Sequence, residues 1–217
     1  MADSDRVQLF DEWAAGYDES VESHDGFPFD GYERVLDEVT RQACVRCGLT
    51  VLDLGVGTGR LAERFVDLGC DVWGLDFSTR MLAICHRKLP QIELIKADVH
   101  GDWPIDVDQR FDRIVSGYLL HEFDLDSKIR LLRRLVERHL TSGGRVVIGD
   151  VAFETADTRD EAHRKYDDLW DEDEHYWVAD EAIAALAKIG VAASYAQISF
   201  CCGVFMMMSP SSGHADA

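Results

Sequence analysis

Long apolar runs are missing from this sequence. Nowhere among its 217 residues does a stretch approach the ~20 consecutive apolar positions that a membrane-spanning helix needs. The opening residues, MADSDRVQLFDEW, also lack the apolar core of a secretion signal, so a cytoplasmic protein is expected. Positive charge is scarce too: 22 Lys and Arg stand against 41 Asp and Glu, a formal net charge of −19. Such an acidic surface repels nucleic acid and anionic membranes over long range, and neither is expected as a partner. Cysteine is limited to six positions. Cys44 and Cys47 form a lone C-x-x-C with no second pair at zinc-site spacing, and adjacent Cys201 and Cys202 would face opposite sides of a strand. Reduced cysteines used as small apolar residues is the plainer reading, with metal or redox use as the alternative. Internal repeats and low-complexity segments are absent as well. What remains is an ordinary globular composition, 47% hydrophobic. A single domain of this length buries roughly 70% of its unfolded-chain surface.

Against that background, residues 51 to 76 stand out: VLDLGVGTGRLAERFVDLGCDVWGLD. A short apolar strand, Val51 to Leu54, runs into Gly55-Val56-Gly57-Thr58-Gly59, followed by a helix and a second strand ending at Asp76. Alternate glycines let the chain turn tightly and bring N–H groups close to a ligand, since no Cβ blocks the approach. A carboxylate ending the second strand suits the two hydroxyls of a ribose. The pattern predicts a nucleotide-type cofactor site at the carboxyl edge of a parallel sheet. Two motifs share the glycines. Gly57, Gly59 and Ala62 satisfy G-x-G-x-x-A of dinucleotide folds. Asp53, Gly55, Gly57 and Gly59 satisfy (D/E)-x-G-x-G-x-G, which resembles motif I of class I S-adenosyl-L-methionine (AdoMet) methyltransferases. A pyrophosphate prefers bare N–H groups and a helix dipole, whereas the cationic donor AdoMet gains from a nearby carboxylate such as Asp53. An NAD-type oxidoreductase stays open as the alternative, as does a non-catalytic AdoMet-binding regulatory protein.

Along the chain, Gln8 to Glu22 has helical spacing, and a second helix is expected from about Gly31 to Arg46. Strands then alternate with helices: Val51 to Leu54, Asp71 to Leu75, Ile92 to Lys96, Phe111 to Val115 and Arg145 to Gly149. The intervening helices end near Leu68, Lys88 and Leu140, with Ser78 as an N-cap. Two last strands, about 192 to 199 and 203 to 208, lack an intervening helix and read as a hairpin. The expected fold is α/β: a doubly wound, mostly parallel, seven-stranded sheet with one antiparallel strand in the C-terminal hairpin. One domain is expected, divided into an N-terminal helical cap (1–47), a cofactor-binding core (48–150), a helical insertion or lid (151–179), a C-terminal helix and hairpin (180–208) and a disordered tail (209–217). The acidic run Asp171-Glu172-Asp173-Glu174 in the insertion reads as a solvated surface.

From Phe10 to about Met208 the chain resembles the class I AdoMet-dependent methyltransferases and, within them, a small bacterial family of the YrrT type. The residues that carry this are Phe10-Asp11-Glu12-Trp13-Ala14, Tyr17-Asp18, Ser20-Val21-Glu22, His24-Asp25, Gly31-Tyr32, the glycine loop, Tyr118 with His121, and Gly143-Gly144. The resemblance implies methyl transfer from AdoMet, leaving S-adenosyl-L-homocysteine, to a small-molecule acceptor by in-line displacement, in a monomer or homodimer. It also implies roles by position. Gly55 and Gly57 would let the backbone pass beneath the methionine part of the donor, with Asp53 near its ammonium and Thr58 and Gly59 in the same cofactor-binding loop. Asp76 would take the ribose hydroxyls, Phe77 and Met81 would border the adenine, and Asp98 with the Val99 N–H would read its edge. Ser116 and Gly117 would offer backbone carbonyls to the cationic end.

His121, after the fourth strand, is the candidate general base if the acceptor must lose a proton, its ordinary pKa of about 6.5 suiting neutral pH. Ordering that loop is its other reading. Tyr17 is a second candidate, binding the donor carboxylate or the acceptor, or else packing on the domain. No metal triad is apparent, since the fourth strand ends in Ser rather than Asp. The Asn/Asp-Pro-Pro-aromatic motif of nucleobase amino-methylating enzymes is missing.

Overall fold

The computed structural model describes residues 26–104 and 109–208. The helix expected over Gln8 to Glu22, the candidate Tyr17, His24 and the tail lie outside the described residues. Eight strands are present: β1 (Thr50–Leu54), β2 (Asp71–Asp76), β3 (Glu93–Lys96), β4 (Phe111–Gly117), β5 (Leu140–Phe153), β6 (Trp177–Val178), β7 (Ala193–Gln197) and β8 (Cys202–Met208). The α-helices are α1 (Tyr32–Ala43), α2 (Arg60–Asp67), α3 (Thr79–Lys88), α4 (Leu125–Arg134), α5 (Ala156–Lys165) and α6 (Ala179–Lys188).

The sheet runs β3-β2-β1-β4-β5-β8-β7, with the two-residue β6 paired to the end of β5. Strands β1 to β5 run parallel to one another, and β8 is antiparallel to both β5 and β7. The doubly wound order and the single reversed strand agree with the sequence pattern, since a parallel return needs a crossover helix and the last two strands have none. The order switches direction between β1 and β4, and ligands in open α/β sheets bind outside the carboxyl ends of strands at such a point.

Period-two alternation sends side chains to two cores, one on each face. Val51, Val115, Val147 and Val151 meet α1, α2 and α3 through Val35, Val39, Ala62, Phe65 and Cys85. Leu52, Leu54, Ile114, Val146 and Ile148 meet α4 and α6 through Leu131, Leu132, Ala182 and Leu186. Helix α1 lies tight on β5 because Gly149 has no side chain: a Cβ there would stand 2.6 Å from Val35 Cγ1 and 2.7 Å from Val39 Cγ2.

Two differences from the sequence pattern bear on position. The helix expected to reach Leu140 turns into a π-helical segment at Leu135–His139. Strand β5 then begins at Leu140, pairs with Phe111, and shifts register before Arg113. Asp112 secures this end of the sheet by accepting from the Thr50 N–H (3.0 Å), the Thr50 hydroxyl (3.1 Å) and the Thr141 hydroxyl (3.1 Å).

Candidate active site

Beyond β1, the chain turns back through left-handed backbone at Gly55 (φ 69°) and Gly57 (φ 51°), a conformation glycine adopts without strain. The turn is pinned to β2: the N–H groups of Gly55 and Val56 both donate to the Leu75 carbonyl, at 2.8 and 3.0 Å. Asp76 ends β2 and joins the two motifs. Its Oδ2 accepts the Gly57 N–H at 2.9 Å and its Oδ1 accepts the Ser78 N–H at 2.8 Å. Ser78 in turn caps α3 by accepting the Met81 N–H at 3.1 Å.

Asp53 sits one strand position before the turn and is 1% exposed. Neither of its oxygens has a hydrogen-bond partner among the described residues. Burial raises its pKa well above the ordinary aspartate value, the Asp76 carboxylate adds to this, and the Ala62 N–H offsets only part of it. A buried carboxylate without a donor is costly, and native proteins rarely keep one without a use for it.

These residues line one crevice at the switch point, with about 660 Å³ of space partly open to solvent. It brings together Asp53, Gly55, Gly57, Thr58, Asp76, Phe77, Met81 and Gly117 from the sequence-predicted set. Gly57 faces open space: the nearest atom a Cβ there would meet is the Gly55 carbonyl oxygen, 3.9 Å away. Four predicted residues are not brought to the crevice wall. Gly59 begins α2, where a Cβ would stand 2.9 Å from Cys85 Sγ, so it serves packing. Ser116 is fully buried and its hydroxyl donates to the Leu54 carbonyl at 2.8 Å. Asp98 accepts the His100 N–H at 2.8 Å, and the Val99 carbonyl accepts from Arg134.

Tyr32, Arg60 and Glu122 also stand on this wall, although no site role was expected for them from sequence. Tyr32 stacks on Tyr118 with ring centroids 4.7 Å apart, and Tyr118 holds left-handed backbone (φ 53°) after β4. Both tyrosines stand among the residues that carried the family resemblance, which was the available signal. Arg60 pairs with Glu33 and sits 5.7 Å from the Tyr32 ring.

His121 does not line this crevice. It lies in a short 3-10 turn, Leu120–Glu122, with its ring turned inward onto Asp150 at the end of β5. Nδ1 stands 2.6 Å from Asp150 Oδ1, and the His121 N–H donates to Oδ2 at 2.9 Å. Trp177 Nε1 (3.0 Å) and the Val151 N–H (2.9 Å) complete the bonds to this fully buried carboxylate. Burial works against a charged imidazole, but Asp150 overrides it and pushes the His121 pKa up to about 9. A histidine that keeps its proton at neutral pH and points away from the donor crevice is a poor general base there.

The donor set favours one of the two motif readings. Among the described residues, Asp53, Asp76 and Glu122 stand on the crevice wall beside a single cation, Arg60, which is already paired. The Gly57 N–H, which a dinucleotide phosphate would need, is given to Asp76. A pyrophosphate would meet like charge at this wall, whereas a ligand with an ammonium group would supply the cation that Asp53 lacks.

Comparison with known proteins agrees. A family model described as "Methyltransferase domain" matches residues 51–144. An uncharacterized methyltransferase of Geobacillus thermodenitrificans is 31% identical over 201 residues, covering 88% of this chain and 91% of that protein. The uncharacterized methyltransferase YrrT of Bacillus subtilis is 32% identical over 161 residues, covering 72% of each. Among solved structures, magnesium protoporphyrin IX methyltransferase (ChlM) from Synechocystis PCC 6803 with bound SAH superposes with a TM-score of 0.69. It is 15% identical, and the match covers 94% of this chain and 99% of that one.

Proposed function

Because this chain belongs to the class I methyltransferases, together with the YrrT-type proteins, we propose that it moves a methyl group from AdoMet to a small-molecule acceptor. The observation that carries this reading is Asp53, a carboxylate buried in the crevice wall whose two oxygens have no hydrogen-bond partner among the described residues. When bound, AdoMet supplies a methyl carbon on a cationic sulfonium, already a good leaving group. The protein's own residues bind, align and exclude water. Asp53 receives the ammonium, and the open side of Gly57 admits the ligand close to main chain. Asp76 faces the ribose hydroxyls from the end of β2, while its bonds to the Gly57 and Ser78 N–H groups keep the loop in register. Phe77 and Met81 border the base. Asp98 and Val99 stand off the crevice wall and have a smaller share than their sequence position implies.

Alignment of acceptor and donor supplies much of the catalysis, an effect worth up to ~7–11 kcal/mol in well-oriented systems. Tyr32 and Tyr118, stacked on each other in the crevice wall, are suited to exclude water there. His121 serves as a positioning residue: its grip on Asp150 fixes the turn that carries Leu119 and Glu122 to the crevice.

Calorimetry with AdoMet, S-adenosyl-L-homocysteine and NAD tests the donor. Saturable binding of the first two supports the reading, and NAD binding without AdoMet binding reverses it. Methyl-donor turnover against thiols, amines and carboxylates tests the acceptor. AdoMet binding with no turnover on any class would favour a regulatory binder over an enzyme.

A further inference from the structure

The acidic run after α5 does not simply face solvent. The His175 N–H donates to the His121 carbonyl at 2.6 Å, which folds this segment back onto the turn after β4. Glu174 is thereby brought to His121 and Glu122, and one ligand atom from each of the three lies within 4.8 Å of the others. His121 is 7% exposed. Its Nδ1 is committed to Asp150, which leaves Nε2 aimed at the carboxylates. Nε2 stands 3.6 Å from Glu174 Oε1, too far for a hydrogen bond, and has no hydrogen bond among the described residues.

We propose that His121, Glu122 and Glu174 form a binding site for a first-row divalent cation such as Zn²⁺ or Mn²⁺. Ligand atoms sharing an ion at ~2.0–2.2 Å stand ~3–3.5 Å apart, so a small side-chain closure would complete the set. Imidazole nitrogen with carboxylate oxygen suits zinc, manganese or iron, while magnesium and calcium favour oxygen alone. The carboxylate–histidine pair is the usual outer support of a metal-bound histidine: Asp150 fixes the ring, and the incoming ion displaces the Nε2 proton to solvent and takes the far nitrogen as its ligand. Three protein ligands leave positions open for water or substrate. Glu122 lines the donor crevice and Glu174 lines a second cavity with Lys128, Trp170 and Tyr176, so the ion would sit between the two. The site needs no methyl donor and stands or falls apart from that reading.

The test uses the full chain stripped of metal by a chelator, then titrated with Co²⁺ as the optical probe and with Zn²⁺ by calorimetry. The expected result is one saturable equivalent, visible Co²⁺ absorption of a four- or five-coordinate centre, displacement by Zn²⁺, and at least tenfold weaker binding in Glu174→Gln. Glu122→Gln, a second partly exposed carboxylate, is expected to weaken binding likewise. Thermal melting of both variants establishes that they are folded. No saturable binding would overturn the proposal. So would affinity unchanged in both folded variants, or a cobalt–thiolate charge-transfer band placing the ion on cysteine.

Discussion

Asp53 is a carboxyl held inside the protein with no full hydrogen bond among the described residues, and its pKa is raised by burial and by Asp76, with the nearby Ala62 N–H offsetting only part of the rise. A group whose folded-state pKa is raised keeps its proton longer in the folded chain than in the unfolded one. As pH climbs above the ordinary aspartate value the unfolded chain ionises first, and stability falls. Asp53→Asn is therefore expected to melt at a higher temperature than the parent at pH 7, by about 2–4 °C for each kcal/mol recovered. The gap should close as pH falls toward 4. The same variant should bind AdoMet more weakly, and a melting curve beside a binding isotherm checks both halves. A lower melting temperature at pH 7 would mean that Asp53 has a partner in the protein after all. Asp76→Ala removes both a ligand contact and the anchor of the glycine turn, and should weaken AdoMet by about 1.5–3 kcal/mol. Unchanged affinity in the folded variant would remove Asp76 from the site.

At the scale of elements, the site depends on how closely α1 rests on the sheet. With Gly149 replaced by Val, the new side chain would enter space held by Val35 and Val39. Overpacking of this kind costs about 1–3 kcal/mol, and the melting temperature should drop accordingly. A melting temperature equal to the parent's would show that α1 can lift without penalty. The strand–glycine turn–helix unit was legible because its signals are local: apolar strand, alternate glycines, closing carboxylate. So were the crossover pattern and the reversed β8. The direction of His121 was not, because a single 3-10 turn decides whether that ring faces the crevice or Asp150. Nor was the placement of Glu174. A run of four acidic residues reads as a hydrated face, and long-range bonds from the His175 N–H to His121 and from Lys128 to the His175 carbonyl turn one of them inward. Gly59 and Ser116 were read by position in a motif, and in the folded chain Gly59 also packs against Cys85 and the Ser116 hydroxyl also bonds the Leu54 carbonyl, contacts that local sequence does not reveal.

For the molecule as a whole, two apolar layers clamp a parallel sheet and leave its switch point as a crevice walled by carboxylates. A ligand bound only by the folded state stabilises it by mass action, about 2.7 kcal/mol at a hundredfold excess over Kd. Thermal melting should therefore rise by roughly 5–11 °C with saturating AdoMet or S-adenosyl-L-homocysteine and stay unmoved with NAD. A crystal structure of the chain grown with S-adenosyl-L-homocysteine tests the central claim most directly. The account predicts the ligand lying across the turn at Gly55 and Gly57, its amino group within hydrogen-bonding distance of Asp53 and its ribose on Asp76. A ligand seated elsewhere, or a crevice closed by Leu119 and Tyr118 with Asp53 still unbonded, would contradict it.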